Sequence, residues 1–216
     1  MAADSKAFVQ IYDRLSEYYG HQAWWPADNL FEILVGAILT QNTAWTNVEK
    51  AIKNLKQKGL CNSQSLSAID QSQLAPLIRS SGYFNQKSER LIRFAKWYEQ
   101  RGGFENLMLK GLQDLRTELL RLNGIGDETA DDMLLYAFDK PSFIIDTYTR
   151  RIFSRMNLLA ETSPYLVLQN AFQQALPCDL TLYQQYHALI VTHAKKHCLK
   201  KPMCHGCPLR EGCSYE

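Results

Sequence analysis

Leu122-Asn123-Gly124-Ile125-Gly126 joins two stretches of helical periodicity and runs straight into Asp127-Glu128-Thr129-Ala130. Two glycines separated by one residue let a backbone turn sharply and approach a partner closely. A turn of this kind leaves backbone N–H groups at the start of the second helix pointing outward, where they suit an anion such as a DNA phosphate. Asn123, Gly124, Ile125, Gly126 and Thr129 are therefore candidate DNA contacts. The alternative is an interhelical turn that binds nothing.

Outward from this turn the periodicity stays helical nearly throughout. Phe8, Ile11, Tyr12 and Leu15 mark a first amphipathic helix. Asp28 stands where it can cap a second, with Leu30, Phe31, Leu34, Val35 and Ile38 on the buried side. Thr46-Asn47-Val48-Glu49 has the pattern of a capping box and opens a third through Val48, Ile52 and Leu55. Further helices are expected over about 72–80, 86–100, 112–122, 128–138, 146–157, 163–175 and 181–197, punctuated by Gly59, Gly82, Gly102-Gly103 and Gly111. No stretch alternates at period two, so the fold class is all-α. Pro141 is the one internal boundary that the composition suggests.

Downstream lie Cys198, Cys204, Cys207 and Cys213, spaced C-x5-C-x2-C-x5-C. Four compact thiolates are the ligand set of a tetrahedral zinc or of a [4Fe-4S] cluster. Zinc sites with four cysteines usually come as two separated C-x2-C knuckles. One central pair with two outer cysteines fits the cubane better. Cys61 and Cys178 stand alone and read as small buried or half-buried thiols. Around the run lie Lys195, Lys196, Lys200 and Lys201, with His193, His197, His205 and Arg210 nearby. A cluster would pin these loops into a rigid basic surface facing phosphate; the plain alternative is a solvated face.

A net charge of +2 is too small to imply a nucleic-acid partner by itself, so the placement of the lysines carries that argument. The longest apolar stretch, Ile33 to Leu39, falls far short of a membrane span, and no membrane partner is expected. Met1-Ala2-Ala3-Asp4 leads into a polar amphipathic segment and shows no signal peptide, which makes the cytoplasm, at the nucleoid, the expected location. In a reducing compartment clustered cysteines read as metal ligands.

L-x-G-I-G-x-x-T-A, an Ile145-Asp146-Thr147 about twenty residues on, and the closing cysteine run resemble the helix-hairpin-helix DNA glycosylases of the endonuclease III superfamily. The resemblance covers essentially the whole chain. It implies a two-lobed all-α fold, a six-helix barrel plus an iron–sulfur cluster domain, with DNA held in the cleft between the lobes. The barrel with its hairpin would occupy 27–140, and the cluster domain 141–216 packed with 1–26. A [4Fe-4S] cluster on Cys198, Cys204, Cys207 and Cys213 is the implied cofactor, and double-stranded damaged DNA the implied partner of a monomer. The first cysteine gap is one residue shorter than is usual for endonuclease III. Bifunctional members carry a nucleophilic lysine two residues past the second glycine. Here that position is Glu128, which cannot form the Schiff base needed for strand cleavage.

Trp24-Trp25-Pro26, Leu39-Thr40-Gln41-Asn42-Thr43 and Ser81-Gly82-Tyr83-Phe84-Asn85-Gln86-Lys87 look like the 3-methyladenine DNA glycosylase III branch, which excises alkylated purines. Some members of that branch lack a cluster. The likeness implies a base pocket walled by Trp24, Trp25, Pro26 and Trp45, since an extruded base is held by stacking and an N-alkylated purine is cationic. Core filling is the other use for these tryptophans. Gln41 resembles the side chain that fills the gap left by the flipped nucleotide. Asp146 matches the catalytic aspartate, and its position at a helix start also suits an N-cap; the two roles can coexist. Lys195 stands where it reaches either pocket or phosphate. The expected function is a monofunctional glycosylase for alkylated purines such as 3-methyladenine. The alternatives are an endonuclease III-like glycosylase and AP lyase for oxidised pyrimidines, and a non-catalytic DNA-binding iron–sulfur module.

Overall fold

The structure, a computed structural model, describes residues 5–215. Its described residues form twelve α-helices and one short 3-10 turn, with no strand. The helices are α1 (Ser5–Tyr19), α2 (Leu30–Leu39), α3 (Trp45–Gln57), α4 (Ser63–Ala68), α5 (Gln71–Leu77), α6 (Phe84–Gln100), α7 (Gly103–Met108), α8 (Leu112–Leu120), α9 (Asp127–Tyr136), α10 (Thr147–Arg155), α11 (Tyr165–Ala175) and α12 (Leu180–Lys196). The all-α expectation holds. Among the described residues no helix is long and apolar enough to cross a membrane.

The chain packs as two compact units. One is Trp25–Lys140; the other joins the chain up to Trp24 with everything from Pro141 onward. In the first, here the hairpin unit, α2 is the central helix. Its sequence LFEILVGAIL is apolar on nearly every side, and Phe31 through Leu39 are all buried. A helix of that kind must be surrounded, and α3, α6 and α9 pack against it. The helices flanking the glycine turn, α8 and α9, are clamped together by Arg116. Its guanidinium donates to both oxygens of the fully buried Asp131, at 2.9 and 3.0 Å, and to Asp127 at 2.6 Å. A forked, charge-assisted pair of this geometry sets the angle at which the two helices meet.

In the terminal unit α1 packs on α11 and α12, and α10 packs on α12. The core is aromatic: Phe143 stacks on Phe172 at 4.1 Å, Phe8 meets Phe172 edge-on at 4.9 Å, and the Tyr186 hydroxyl donates to the Phe8 carbonyl at 2.7 Å.

Several helix boundaries differ from the sequence reading, each for a local reason. Asp28 does not cap α2. Asn29 does, its side chain accepting from the Glu32 N–H at 3.0 Å, while Asp28 pairs with Lys56 at 2.8 Å. The capping box at Thr46–Glu49 is not formed either, because α3 begins at Trp45 behind Ala44, which offers no side-chain cap. The helix expected over 72–80 is broken: α5 ends at Leu77, and Arg79–Ser81 tighten into the 3-10 turn. Two six-residue helices, α4 and α7, are too short to show a period, and Gly103 opens one of them instead of ending a segment.

Candidate functional site

The turn between α8 and α9 separates the roles of its two glycines. Gly124 has φ of +91°, a left-handed conformation that favours glycine, and a Cβ there would collide with the Arg90 side chain lying over it. Gly126 is extended, and a Cβ there would meet nothing. Open space over a helix start, with Gly126 as the N-cap residue of α9, leaves room for an incoming anion. Ile125 is buried beneath the turn, Asn123 is exposed, and the Asn123 carbonyl accepts from Arg93 at 3.2 Å.

Gln41 is placed differently from its sequence reading. Its Nε2 donates to the Gly124 carbonyl and to Thr129 Oγ1, both at 2.9 Å, and its Oε1 accepts from Arg90 Nη1 at 2.6 Å. The amide is thus committed to bracing the hairpin, and gap filling would require giving up three hydrogen bonds. The Thr129 hydroxyl, too, is held by Gln41. Lys87 supports the same region from beneath: buried, it donates to the Leu39 carbonyl at 2.8 Å and the Ser81 carbonyl at 2.7 Å. Burial, and then the charge of Arg90, push its ammonium down to about 8.

Trp25 and Trp45, both half-buried, meet edge to face at 5.1 Å, and Trp25 leans on Tyr136 at 5.3 Å. The indole of Trp25 lies over α2 where Gly36 leaves it space; a Cβ there would come within 3.1 Å of the ring. Pro26 is exposed and, with Trp45, Glu32 and Glu49, lines an open pocket on α3. Trp24 belongs to the terminal unit. The ammonium of Lys195 sits 5.5 Å from its ring centroid, and that of Lys196 sits 5.2 Å from the Tyr19 ring. Lys195, Lys196, Lys200 and Lys201 are all exposed.

Asp146 caps α10. Its Oδ1 accepts from the Thr149 N–H at 2.6 Å and the Thr149 hydroxyl at 2.7 Å, while His187 Nε2 stands 3.7 Å from Oδ2. Burial alone would raise its carboxyl, but His187 and the Thr149 bonds outweigh burial and hold it below the ordinary carboxylate value. The side chain is therefore an anion poised in a nearly dry site.

The four C-terminal cysteines are all free thiols, and all four line one small cavity with Ile152, Arg155, His193 and Leu209. Two arginines of α10 fix the start of this segment. Arg151 donates to the Cys198 carbonyl at 2.8 Å; Arg155 donates to Cys198 Sγ at 3.2 Å and to the Leu199 and Lys200 carbonyls at 2.8 and 3.0 Å. His193 lies between the Tyr19 hydroxyl, 3.0 Å from Nδ1, and Cys207 Sγ, 3.8 Å from Nε2.

Residues 35–178 match the HhH-GPD superfamily of base excision DNA repair proteins. The chain belongs to that superfamily. It is a DNA repair glycosylase, similar at 47% identity to a Methanocaldococcus jannaschii protein provisionally named a DNA repair glycosylase, over 94% of each chain. It is 29% identical to endonuclease III of Thermotoga maritima, covering 86% of this chain and 83% of that one. Among solved structures it resembles the H. pylori 3-methyladenine DNA glycosylase bound to 1,N6-ethenoadenine, with a TM-score of 0.77 and 30% identity over 89% of this chain and 97% of that one.

The matched HhH-GPD segment ends before the cysteine run, so the fit of a cluster there is a question for the side chains. Among the described residues no three His, Cys, Asp or Glu side chains are grouped as a ready-made site for one metal ion. The four thiols instead ring a shared void. A polynuclear cluster binds its cysteines through different iron atoms, and the ring suits that donor set. Burial, and then the neighbouring Cys198, Cys213 and Cys204, push the Cys207 thiol up, so a cationic core would be needed to hold it as a thiolate ligand. The residues fit the group.

Two neighbours of these residues carried no signal in the sequence. Arg90 and His187 act through contacts distant along the chain, and neither sits in a spacing pattern of its own; Lys87 stood out only within the Ser81–Lys87 stretch.

Proposed function

We propose that this glycosylase is monofunctional and hydrolyses the N-glycosidic bond of alkylated purines such as 3-methyladenine in damaged duplex DNA, as a monomer. Residues 27–140 would act as a six-helix barrel presenting the hairpin, and 141–216 with 1–26 as the cluster domain. The observation that carries the substrate class is the aromatic group of Trp25, Trp45 and Tyr136, seated by Gly36. An N-alkylated purine is a cation, and electron-rich aromatic faces attract cations. The likeness to the H. pylori enzyme for 3-methyladenine supports the same class. Trp24, Trp25, Pro26 and Trp45 are assigned to the base, with Gln41 tending the hairpin beside them in sequence.

Hydrolysis breaks the bond between C1′ and the base nitrogen as water supplies the new oxygen at C1′. Positive charge builds on the sugar during that exchange. The Asp146 carboxylate, kept ionised in a dry site, stabilises the charge and orients the water, whose proton passes to the carboxylate or to solvent. The alkylated base departs with the bonding electrons and becomes neutral, so no strong general acid is needed. Gly124 shapes the hairpin, and the N–H groups at Gly126 and the start of α9 offer a phosphate site. Lys195, Lys196, Lys200 and Lys201 add positive charge for the DNA backbone. Cys198, Cys204, Cys207 and Cys213 would hold a [4Fe-4S] cluster, whose contribution is to order the basic loop.

An endonuclease III-like activity on oxidised pyrimidines is the second reading, favoured by the kinship with the Thermotoga enzyme and by the cysteine run. Glu128, exposed on the first turn of α9, weighs against its lyase step. Base release from duplex DNA treated with dimethyl sulfate tests the primary assignment. The wild type releases methylated purine and Asp146→Asn does not; an Asp146→Asn enzyme of normal rate removes Asp146 from the mechanism.

A further inference from the structure

The two oxygens of Asp146 have different surroundings. Oδ1 takes both hydrogen bonds from Thr149, the N–H at 2.6 Å and the hydroxyl at 2.7 Å. Oδ2 faces His187 of α12, whose Nε2 stands 3.7 Å away. Both side chains are nearly dry, 12% exposed for Asp146 and 6% for His187. The helix cap is therefore complete on one oxygen alone.

We infer that His187 is a positioning residue for base excision: it fixes the orientation of Asp146 so that Oδ1 anchors α10 while Oδ2 is presented to the sugar and the attacking water. This rests on Asp146 being the catalytic carboxylate. The terminal torsion of an aspartate is broad and roughly two-fold, so contacts at Oδ1 alone leave the carboxylate plane free to rock. With its ring proton on Nε2, the imidazole opposes Oδ2 and restrains that motion. At 3.7 Å the contact is longer than a hydrogen bond, so Oδ2 keeps lone pairs for a reacting partner. A lysine or arginine in the same place would pair tightly and consume them. An aliphatic side chain would fill the space and restrain nothing. The same helix ends at Lys196, two residues before Cys198, and the arginine bonds that anchor Cys198 also steady this end of α12.

The test is single-turnover base release by full-length, cluster-loaded protein, alongside DNA affinity and thermal melting. The probe is whichever of a dimethyl sulfate-treated duplex or a thymine glycol duplex the wild type cleaves faster. His187→Met, with His187→Leu as a second apolar variant should Met not fold, is expected to slow release about tenfold or more, the scale of a misplaced catalytic group. DNA affinity should stay at the wild-type value. His187→Gln, whose amide N–H can face Oδ2, should recover part of the loss. In the Asp146→Asn background His187→Met should cost nothing further. A wild-type rate for the apolar variants overturns the inference. So does a Gln variant no faster than Met, or a loss of affinity that accounts for the lost rate. Asp146→Asn alone separates the two levels: if it retains activity, the parent assignment falls and takes this inference with it. If it is inactive while His187→Met is normal, only the role of His187 falls.

Discussion

The side-chain amide of Gln41 donates to the backbone carbonyl of Gly124 across 2.9 Å, although 83 residues separate them. With Arg90 bonded to the same Gln41 and packed over Gly124, a loop and α6 jointly hold the hairpin in shape. The two glycines of the turn should then fail in different ways. Gly124→Ala forces a left-handed alanine against Arg90 and should destabilise the protein by about 1–3 kcal/mol. Gly126→Ala should leave the melting temperature nearly unchanged and weaken DNA binding. Chemical denaturation and DNA titration of both variants check this.

Removing the brace should resemble removing the turn. Arg90→Ala leaves Gln41 Oε1 without this donor and should cost about 1–2 kcal/mol. Its DNA affinity should fall more than its single-turnover rate at saturating enzyme. A loss confined to the chemical step would place Arg90 elsewhere in the mechanism.

Gly36 makes room for Trp25, whose ring would lie 3.1 Å from an added Cβ. Gly36→Ala gains roughly 1 kcal/mol of helix propensity, offset by the displaced indole, so stability should change little. Excision should slow several-fold with DNA affinity retained, and tryptophan emission should shift. An unchanged rate would detach Trp25 from the base pocket.

Asp146 is held below the ordinary carboxylate value by His187 and Thr149 despite burial. A depressed carboxylate is ionised in the folded protein at pH values where the unfolded chain binds a proton. Its contribution to stability is complete above the unfolded value and is lost only as pH falls through the lower folded one. The same sign governs catalysis: the anion persists below the unfolded value for aspartate, about 4. The release rate should therefore show no carboxylate limb between pH 5 and 7 by the assignment of Asp146 as an anion, about one unit or more above that value. A limb in that window that shifts in an Asp146→Glu enzyme would mean a raised carboxyl acting as an acid.

Cys207→Ser should abolish visible absorption and bound iron, and should lower the melting temperature. Full iron loading of that variant would remove Cys207 from the ligand set.

The glycine turn and the cysteine run could be singled out because each is a short local pattern, and Asp146 because the resemblance points to it. All-α class was legible too, since α1, α3, α6 and α12 are long enough to display a period. Caps were less so: Asp28 and Asn29 are adjacent and equally suited by type, and only the extended backbone at Asn29 decides between them. The engagement of Gln41 with Gly124, of Arg90 with Gln41, and of His187 with Asp146 could not be read from the chain. Such pairs depend on how helices distant in sequence come together, and single polar residues carry no period that would announce them.

The most direct test of substrate class is parallel base release from duplexes carrying 3-methyladenine or thymine glycol, with borohydride present to trap a Schiff base. Release of the alkylated purine without a trapped adduct is the predicted result. Release of the oxidised pyrimidine with a covalent adduct would contradict it, and would require a lysine elsewhere in the chain to do what Glu128 cannot.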